Sequence, residues 1–126
     1  MGFKYYNPNP LKKMVGDCVI RAISMAMGMT WNETYMELCA YGMANGDIPS
    51  SNSLWGAYLR DNGFVVKSLP NDCPNCYSVY DFVQDHPRGT YILCTGTHVV
   101  TAIDGWWYDT YDSQEEIVAY YFERIR

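Results

Sequence analysis

The sequence lacks the features that indicate export, membrane insertion or nucleic-acid binding. No stretch approaches the roughly 18 consecutive apolar residues that a spanning helix needs, and the start, MGFKYYNPNPLKK, contains no apolar export segment. Basic side chains are few, 9 against 14 acidic ones, so the formal charge is -5 and no positive face is available for phosphates. We therefore expect a cytoplasmic protein that binds neither membrane nor nucleic acid. Nothing in the sequence indicates an oligomeric state.

Cysteines are also few, and their number is odd. Five cysteines without an export signal favour reduced thiols over a disulfide framework. Cys73 and Cys76 have the spacing of half a zinc knuckle or of a redox pair, but the candidate further ligands, Cys39, His86 and Cys94, follow no familiar zinc spacing. We expect the segment from 73 to 76 to be a loop, and whether it binds metal stays open.

The patterns that are present predict one α+β domain over residues 1–126. With 48% hydrophobic residues the chain is long enough for one core and too short for two ordinary domains. Residues 1–15 look extended, and the segments that follow are helices first and strands later. Helical patterns cover 18–27, the run after the capping box Thr30 to Glu33, the run from Ser51 to Asn62, and 79–86; strand patterns cover 64–69, 91–94, 98–103, 106–109 and, unless it is a helix, 118–125. We expect N-terminal helices packed on a C-terminal antiparallel β-sheet.

Cys18 begins the first of these helices, in the stretch GDCVIRAISMAMG. With Asp17 as the N-cap, Cys18 is the first helical residue, where unpaired backbone N–H groups and the helix dipole favour an anionic sulfur. The Asp17 carboxylate opposes this effect, so a low thiol pKa needs a cationic neighbour such as a histidine. A free cysteine is also a common small core residue, and this alternative stays open.

His98 is the better base of the two histidines, because it begins a strand after a Gly-Thr turn, whereas His86 precedes a proline at a helix end. A two-residue turn at Asp104-Gly105 pairs Ile103 with Trp106. In this register Asp109 shares the face of His98, one diagonal step away. Asp112 falls on the opposite face, and a one-residue bulge would exchange the two aspartates.

These three residues predict a cysteine triad. Cys18 is the nucleophile, His98 is the base toward the thiol and the acid toward the leaving amine, and Asp109 orients the imidazole. The backbone N–H of Cys18 and one further donor would bind the oxyanion.

The order of these residues resembles the papain-like cysteine peptidase superfamily. The stretches NPNPLKKMVGDCVIRAIS and GTHVVTAIDGWWYDTYDS are similar to small cysteine-peptidase-like proteins of bacteriophages and gut bacteria, related to bacteriocin-leader-processing peptidases. The resemblance implies a papain-like fold and hydrolysis of a peptide or isopeptide bond in a protein or peptide substrate through a thioester. It implies no metal or organic cofactor.

The chain departs from the family at one position. Papain-like enzymes usually carry an oxyanion-binding glutamine about six residues before the nucleophile, and Lys12 stands there. Asn7 or Asn9 could serve instead. Two alternatives follow. One is a catalytically weak or inactive protein-binding module on the same fold, and the other is acyl transfer to an amine in place of water. The reactivity of the Cys18 thiol distinguishes the binding module from the two catalytic functions.

Overall fold

The computed structural model describes residues 1–69 and 76–125, which form an α+β fold with four helices and a six-stranded mixed sheet. The first half of the chain supplies most of the helices, and the second half supplies most of the strands. The elements are β1 (Gly2–Tyr5), α1 (Cys18–Met27), α2 (Trp31–Asn45), α3 (Asn52–Asp61), β2 (Phe64–Ser68), α4 (Val79–Asp85), β3 (Thr90–Cys94), β4 (Val99–Ile103), β5 (Trp106–Asp109) and β6 (Tyr120–Arg124).

The helices begin and end where local signals place them. Gly28 adopts the left-handed conformation that ends α1, with φ of 66°. Thr30 and Glu33 form the expected capping box of α2, and Ser78 caps α4. The predicted bounds of α1 are therefore confirmed, and those of the other helices are confirmed at their starts.

The sheet is mixed, so the predicted all-antiparallel C-terminal sheet is wrong in one respect. Its strand order is β1-β5-β4-β3-β6-β2, and β1 from the N-terminal arm runs parallel to β5 at one edge, while the other neighbours are antiparallel. A parallel pair needs a long crossover connection, so no local turn in the sequence signals it.

Helices cover both faces of the sheet. One apolar cluster joins α1, α2 and α3 to side chains such as Ile92 and Phe122, and a second joins α4 to side chains such as Leu93 and Trp107. Alternation along β3 produces this division, because successive strand residues point to opposite faces. Cys18, at the N-terminus of α1, therefore lies beside the sheet face that α1 covers.

The β4–β5 hairpin has the predicted register. Asp104 and Gly105 form the turn with φ of 48° and 89°, and Ile103 pairs with Trp106. Regular pairing continues to Thr101 and Tyr108 and stops there. His98 and Asp109 thus lie just beyond the paired part of the hairpin.

Among the described residues, no helix is long and apolar enough to cross a membrane.

Cys76 forms a disulfide bond, so the expectation of reduced thiols throughout is wrong at this position, and its thiolate is not available to a metal. The rest of the predicted loop, Cys73 to Asn75, lies outside the described residues. Within the described ranges no cluster of three or more His, Cys, Asp or Glu side chains is suited to hold a metal ion.

Candidate active site

Cys18 occupies the first position of α1, as the sequence predicts, and its side chain is partly buried. Asp17 stands at the N-cap position, but its side chain makes no capping hydrogen bond. The carboxylate instead accepts hydrogen bonds from Arg21 at 2.7 Å and from the indole Nε1 of Trp31 at 2.9 Å. Because Asp17 does not cap the helix, the backbone N–H groups beside Cys18 are not occupied by its carboxylate.

A tight turn between β3 and β4 presents His98 to Cys18. The Thr95 backbone N–H donates to the His98 carbonyl at 2.9 Å, and the His98 backbone N–H donates to Thr95 Oγ1 at 3.1 Å. The Tyr111 ring lies against the imidazole, with 5.2 Å between the ring centroids. The backbone and one ring face of His98 are thus both held.

Asp109 lies at the other side of the imidazole. His98 Nε2 is 2.6 Å from Asp109 Oδ2, so Nδ1 is the ring nitrogen left for the hydrogen bond between His98 and the Cys18 thiol. Asp109 is fully buried and accepts two further hydrogen bonds at 2.8 Å, from the hydroxyl of Ser113 and from the backbone N–H of Thr110. The structure therefore brings all three predicted triad residues together in the predicted order.

The electrostatics of the pair favour a charged thiolate and a charged imidazolium. Burial raises the pKa of Cys18, but the hydrogen bonds with His98 and with the Val99 backbone, together with the nearby positive charges, lower it below the ordinary value. Burial lowers the pKa of His98, but its hydrogen bonds with Asp109 and Cys18 and their charges raise it to about 9. Both shifts favour the thiolate–imidazolium pair over the neutral pair.

Cys94 shows what the same surroundings do to a thiol without an imidazole partner. It is 1% exposed and lines the same cleft as Cys18. Burial raises the pKa of Cys94 to about 12, although a hydrogen bond with Tyr120 lowers it somewhat. The lowered pKa of Cys18 thus comes from its particular partners and not from its general position between helix and sheet.

Arg21 is a member of the site that sequence reasoning missed. It is 5% exposed, and its guanidinium donates to Asp17 Oδ1 at 2.7 Å and to Asp109 Oδ1 at 3.1 Å. Burial raises the pKa of the Asp109 carboxyl. The hydrogen bond and charge of His98 and the hydrogen bond from Ser113 outweigh this effect and hold the pKa below its ordinary value. A charged residue within the apolar stripe of α1 is the one sequence signal that could have identified Arg21.

Asp112, the second choice for the orienting carboxylate, does not contact His98. Its Oδ1 accepts from the Trp107 indole at 2.9 Å and from the Gln114 backbone, and its Oδ2 accepts from the Gln114 side chain. The hairpin register thus selects Asp109, and no bulge exchanges the two aspartates.

The candidate oxyanion donors in the N-terminal arm are engaged within that arm. Asn7 Nδ2 donates to the Lys13 carbonyl at 3.4 Å, Asn9 Oδ1 accepts from the Leu11 backbone N–H at 2.9 Å, and Lys12 Nζ donates to the Asn7 carbonyl at 3.2 Å. The described residues that line the cleft at Cys18 include none of these side chains. These side chains of the arm therefore lie outside the lining of the Cys18 cleft.

The cleft at Cys18 has a volume of about 240 Å³. Its walls are the start of α1, the segment from Ser50 to Trp55 and the turn from Cys94 to Val99. Apart from the pair of Cys18 and His98, no lining side chain among the described residues is charged.

Comparison of this chain with models of known protein families, with curated proteins and with solved structures finds no match. The class of protein is therefore inferred from the site itself.

Proposed function

We propose that the protein is a cysteine peptidase with a papain-like arrangement, in which Cys18, His98 and Asp109 hydrolyse a peptide or isopeptide bond through a thioester. The observation that carries this proposal is that Cys18, the first residue of a helix, lines one cleft together with His98, whose Nε2 lies 2.6 Å from buried Asp109. Nucleophile, base and orienting group in this order are what acyl transfer through a thiol requires.

The chemistry proceeds in two steps. The Cys18 thiolate forms a bond to the substrate carbonyl carbon, and the carbonyl π electrons move to oxygen. When the oxyanion collapses, the C–N bond breaks, its electrons go to nitrogen, and His98 gives that nitrogen a proton. In the second step water attacks the thioester, His98 accepts a proton from it, and the carboxylic acid product leaves Cys18 as the thiolate.

The surroundings of Asp109 support its role. Its negative charge faces the imidazolium at Nε2, while the Ser113 hydroxyl and the Thr110 backbone hold the carboxylate in place. This fixes the ring so that Nδ1 faces the thiol, and it stabilises the positive charge that His98 carries after it takes the proton.

The first test is the iodoacetamide alkylation rate of each free cysteine as a function of pH, followed by peptide mass spectrometry. We expect Cys18 to react fast already below the pH at which an ordinary thiol of pKa about 8.5 ionises, and His98→Ala to remove this reactivity. His86→Gln is the matched control, because His86 stacks on Phe82 and does not contact Cys18. Equal rates at Cys18 and Cys39 in the wild type would contradict the proposal.

A second test addresses bond cleavage. The wild-type protein and Cys18→Ala are incubated with a library of peptides from a proteome digest, and new termini are identified by mass spectrometry. Cleavage by the wild type alone supports a peptidase. A reactive Cys18 without any cleavage would instead favour acyl transfer to an amine in place of water.

A further inference from the structure

We propose that the side-chain amide of Asn52 donates the second hydrogen bond to the oxyanion formed at Cys18. This inference rests on the proposed acyl-transfer function. It assigns to α3 the role that a glutamine before the nucleophile has in the papain-like family and that Asn7, Asn9 and Lys12 do not take here.

The position of Asn52 supports this assignment. It is the first residue of α3 and lines the same cleft as Cys18 and His98. Among the described residues of the cleft lining, Asn52 is the only one with a side-chain amide. Neutral amides are common oxyanion donors because they offer an N–H without an added charge.

The orientation of the amide is fixed by Trp55. The Trp55 indole Nε1 lies 3.1 Å from Asn52 Oδ1, and an indole N–H can only donate. The amide oxygen must therefore face Trp55, and the Nδ2 group points away from it. Trp55 is 1% exposed and packs in the core, so this orientation is held by a rigid side chain.

The Nδ2 group is left available for a ligand. Within the described ranges it donates no hydrogen bond to the protein, whereas the Oδ1 atom is occupied. Two other donors of the cleft are engaged, since the Thr95 hydroxyl donates to the His98 carbonyl at 3.2 Å and Tyr120 bonds with Cys94. The Asn52 amide and the Cys18 backbone N–H are then the two donors for the oxyanion.

Two reagents separate oxyanion binding from thiol reactivity. p-Nitrophenyl acetate acylates Cys18 through an oxyanion and releases p-nitrophenolate, whereas iodoacetamide alkylates the same sulfur by displacement of iodide at a saturated carbon, without an oxyanion. Both rates are measured on the full chain for the wild type and for Asn52→Ala. Ser50→Ala is the matched control, because Ser50 lines the same cleft and offers only a hydroxyl.

We expect Asn52→Ala to lower the acylation rate by about a hundredfold, the usual loss for one oxyanion donor, while the alkylation rate stays at the wild-type value. Ser50→Ala should leave both rates unchanged. Asn52→Asp serves as a second variant, since it keeps the acceptor for Trp55 and replaces the donor by a carboxylate. The added negative charge slows both reactions, so its acylation rate is compared with its own alkylation rate, and this ratio should fall at least as far.

Other outcomes overturn the inference. If both rates of the Asn52 variants equal those of the wild type, Asn52 is not a donor. If both rates fall together, Asn52 acts on the thiol or on the fold and not on the oxyanion. A wild-type Cys18 that iodoacetamide does not modify quickly would instead refute the proposed function itself, so the two failures are distinguishable.

Discussion

At the scale of single residues, the site is a buried series of alternating charges. Asp17, Arg21, Asp109 and His98 follow one another through direct contacts, and His98 lowers the pKa of Cys18 at the end of the series. Each interior charge therefore has an opposite charge on both sides. Buried charges are costly unless they are paired in this way, so the loss of one member affects its neighbours.

Arg21 is expected to affect both the stability of the fold and the reactivity of Cys18. Arg21→Met should lower the free energy of unfolding by about 3–5 kcal/mol, because it leaves the carboxylates of Asp17 and Asp109 without their shared cation in a buried position. It should also move the acid limb of Cys18 alkylation to higher pH, since the Arg21 charge lowers the pKa of this thiol. Urea unfolding and alkylation against pH measure the two effects.

The control is Arg21→Met combined with Asp17→Asn, which removes one of the two orphaned charges. Part of the lost stability should return in the double variant, and the alkylation profile should move part of the way back, because Asp17→Asn also removes a negative charge beside Cys18. A single variant with wild-type stability would show that the guanidinium does not pair with these carboxylates in solution.

The proximity of His98 and Asp109 could be predicted at this scale, but the residues that support them could not. Asp109 followed from a two-residue turn and the alternation of strand residues, which depend only on local sequence. Arg21, Ser113 and Trp31 belong to elements whose relative placement depends on the packing of the whole fold. Asn52 could not be predicted for the same reason, because all of α2 lies between it and Cys18 in the sequence.

At the scale of elements, β1 braces the strand that carries Asp109. The backbone N–H of Gly2 donates to Gly105 at 3.1 Å, and that of Tyr6 donates to the carbonyl of Asp109 at 2.8 Å. The Tyr6 hydroxyl also bonds with Ser24 of α1 at 2.8 Å. The N-terminal arm thus ties β5 to α1, the helix that carries Cys18.

A proline scan of β1 tests this bracing. The N–H groups of Gly2 and Tyr6 face β5, so the period of two directs the N–H of Lys4 to β5 and that of Tyr5 away from it. Lys4→Pro should therefore cost about 1–3 kcal/mol of unfolding free energy and slow Cys18 alkylation, because it removes a hydrogen bond of the sheet. Tyr5→Pro should cost clearly less.

Urea unfolding of both variants gives the comparison. Equal losses would mean that the arm is held by its side chains alone and that the parallel pairing with β5 contributes little.

Local signals explain which elements could be predicted. The capping box at Thr30, the glycine at position 28 and the turn at Asp104 act over a few residues, and the helices and the hairpin lie where these signals place them. β1 has no such signal, because its partner lies about a hundred residues away. The position of α4 could not be predicted either, because the sequence does not state which face of the sheet this helix covers.

At the scale of the whole molecule, the site couples stability to pH through two titrations of opposite sign. A group with a lowered pKa in the folded state, such as Cys18, adds stability above its unfolded pKa of about 8.5 and loses it as the pH falls through the folded pKa. His98, with its pKa raised to about 9, adds stability that is complete below about 6.5 and is lost as the pH rises toward 9.

In the pH range above the folded-state pKa of Cys18 and below about 8.5, these two contributions cancel. The folded pair holds one proton, on His98, and the unfolded chain also holds one, on the Cys18 thiol, so folding exchanges no proton at this site. Cys18→Ser removes the unfolded-state proton, while Asp109 still favours the protonated imidazole in the folded state. In that variant the folded protein binds more protons than the unfolded chain, and its stability must fall as the pH rises.

We therefore expect the free energy of unfolding of Cys18→Ser to decline relative to the wild type over this range, by up to about 1.4 kcal/mol per pH unit. Urea titrations at several pH values measure the slope, and all other titrating groups cancel in the difference. Cys18→Ser combined with His98→Gln should restore the wild-type pH dependence, because it removes the remaining proton. Parallel curves for Cys18→Ser and the wild type would mean that the thiol is uncharged in the folded protein, and the thiolate–imidazolium pair would then have no basis.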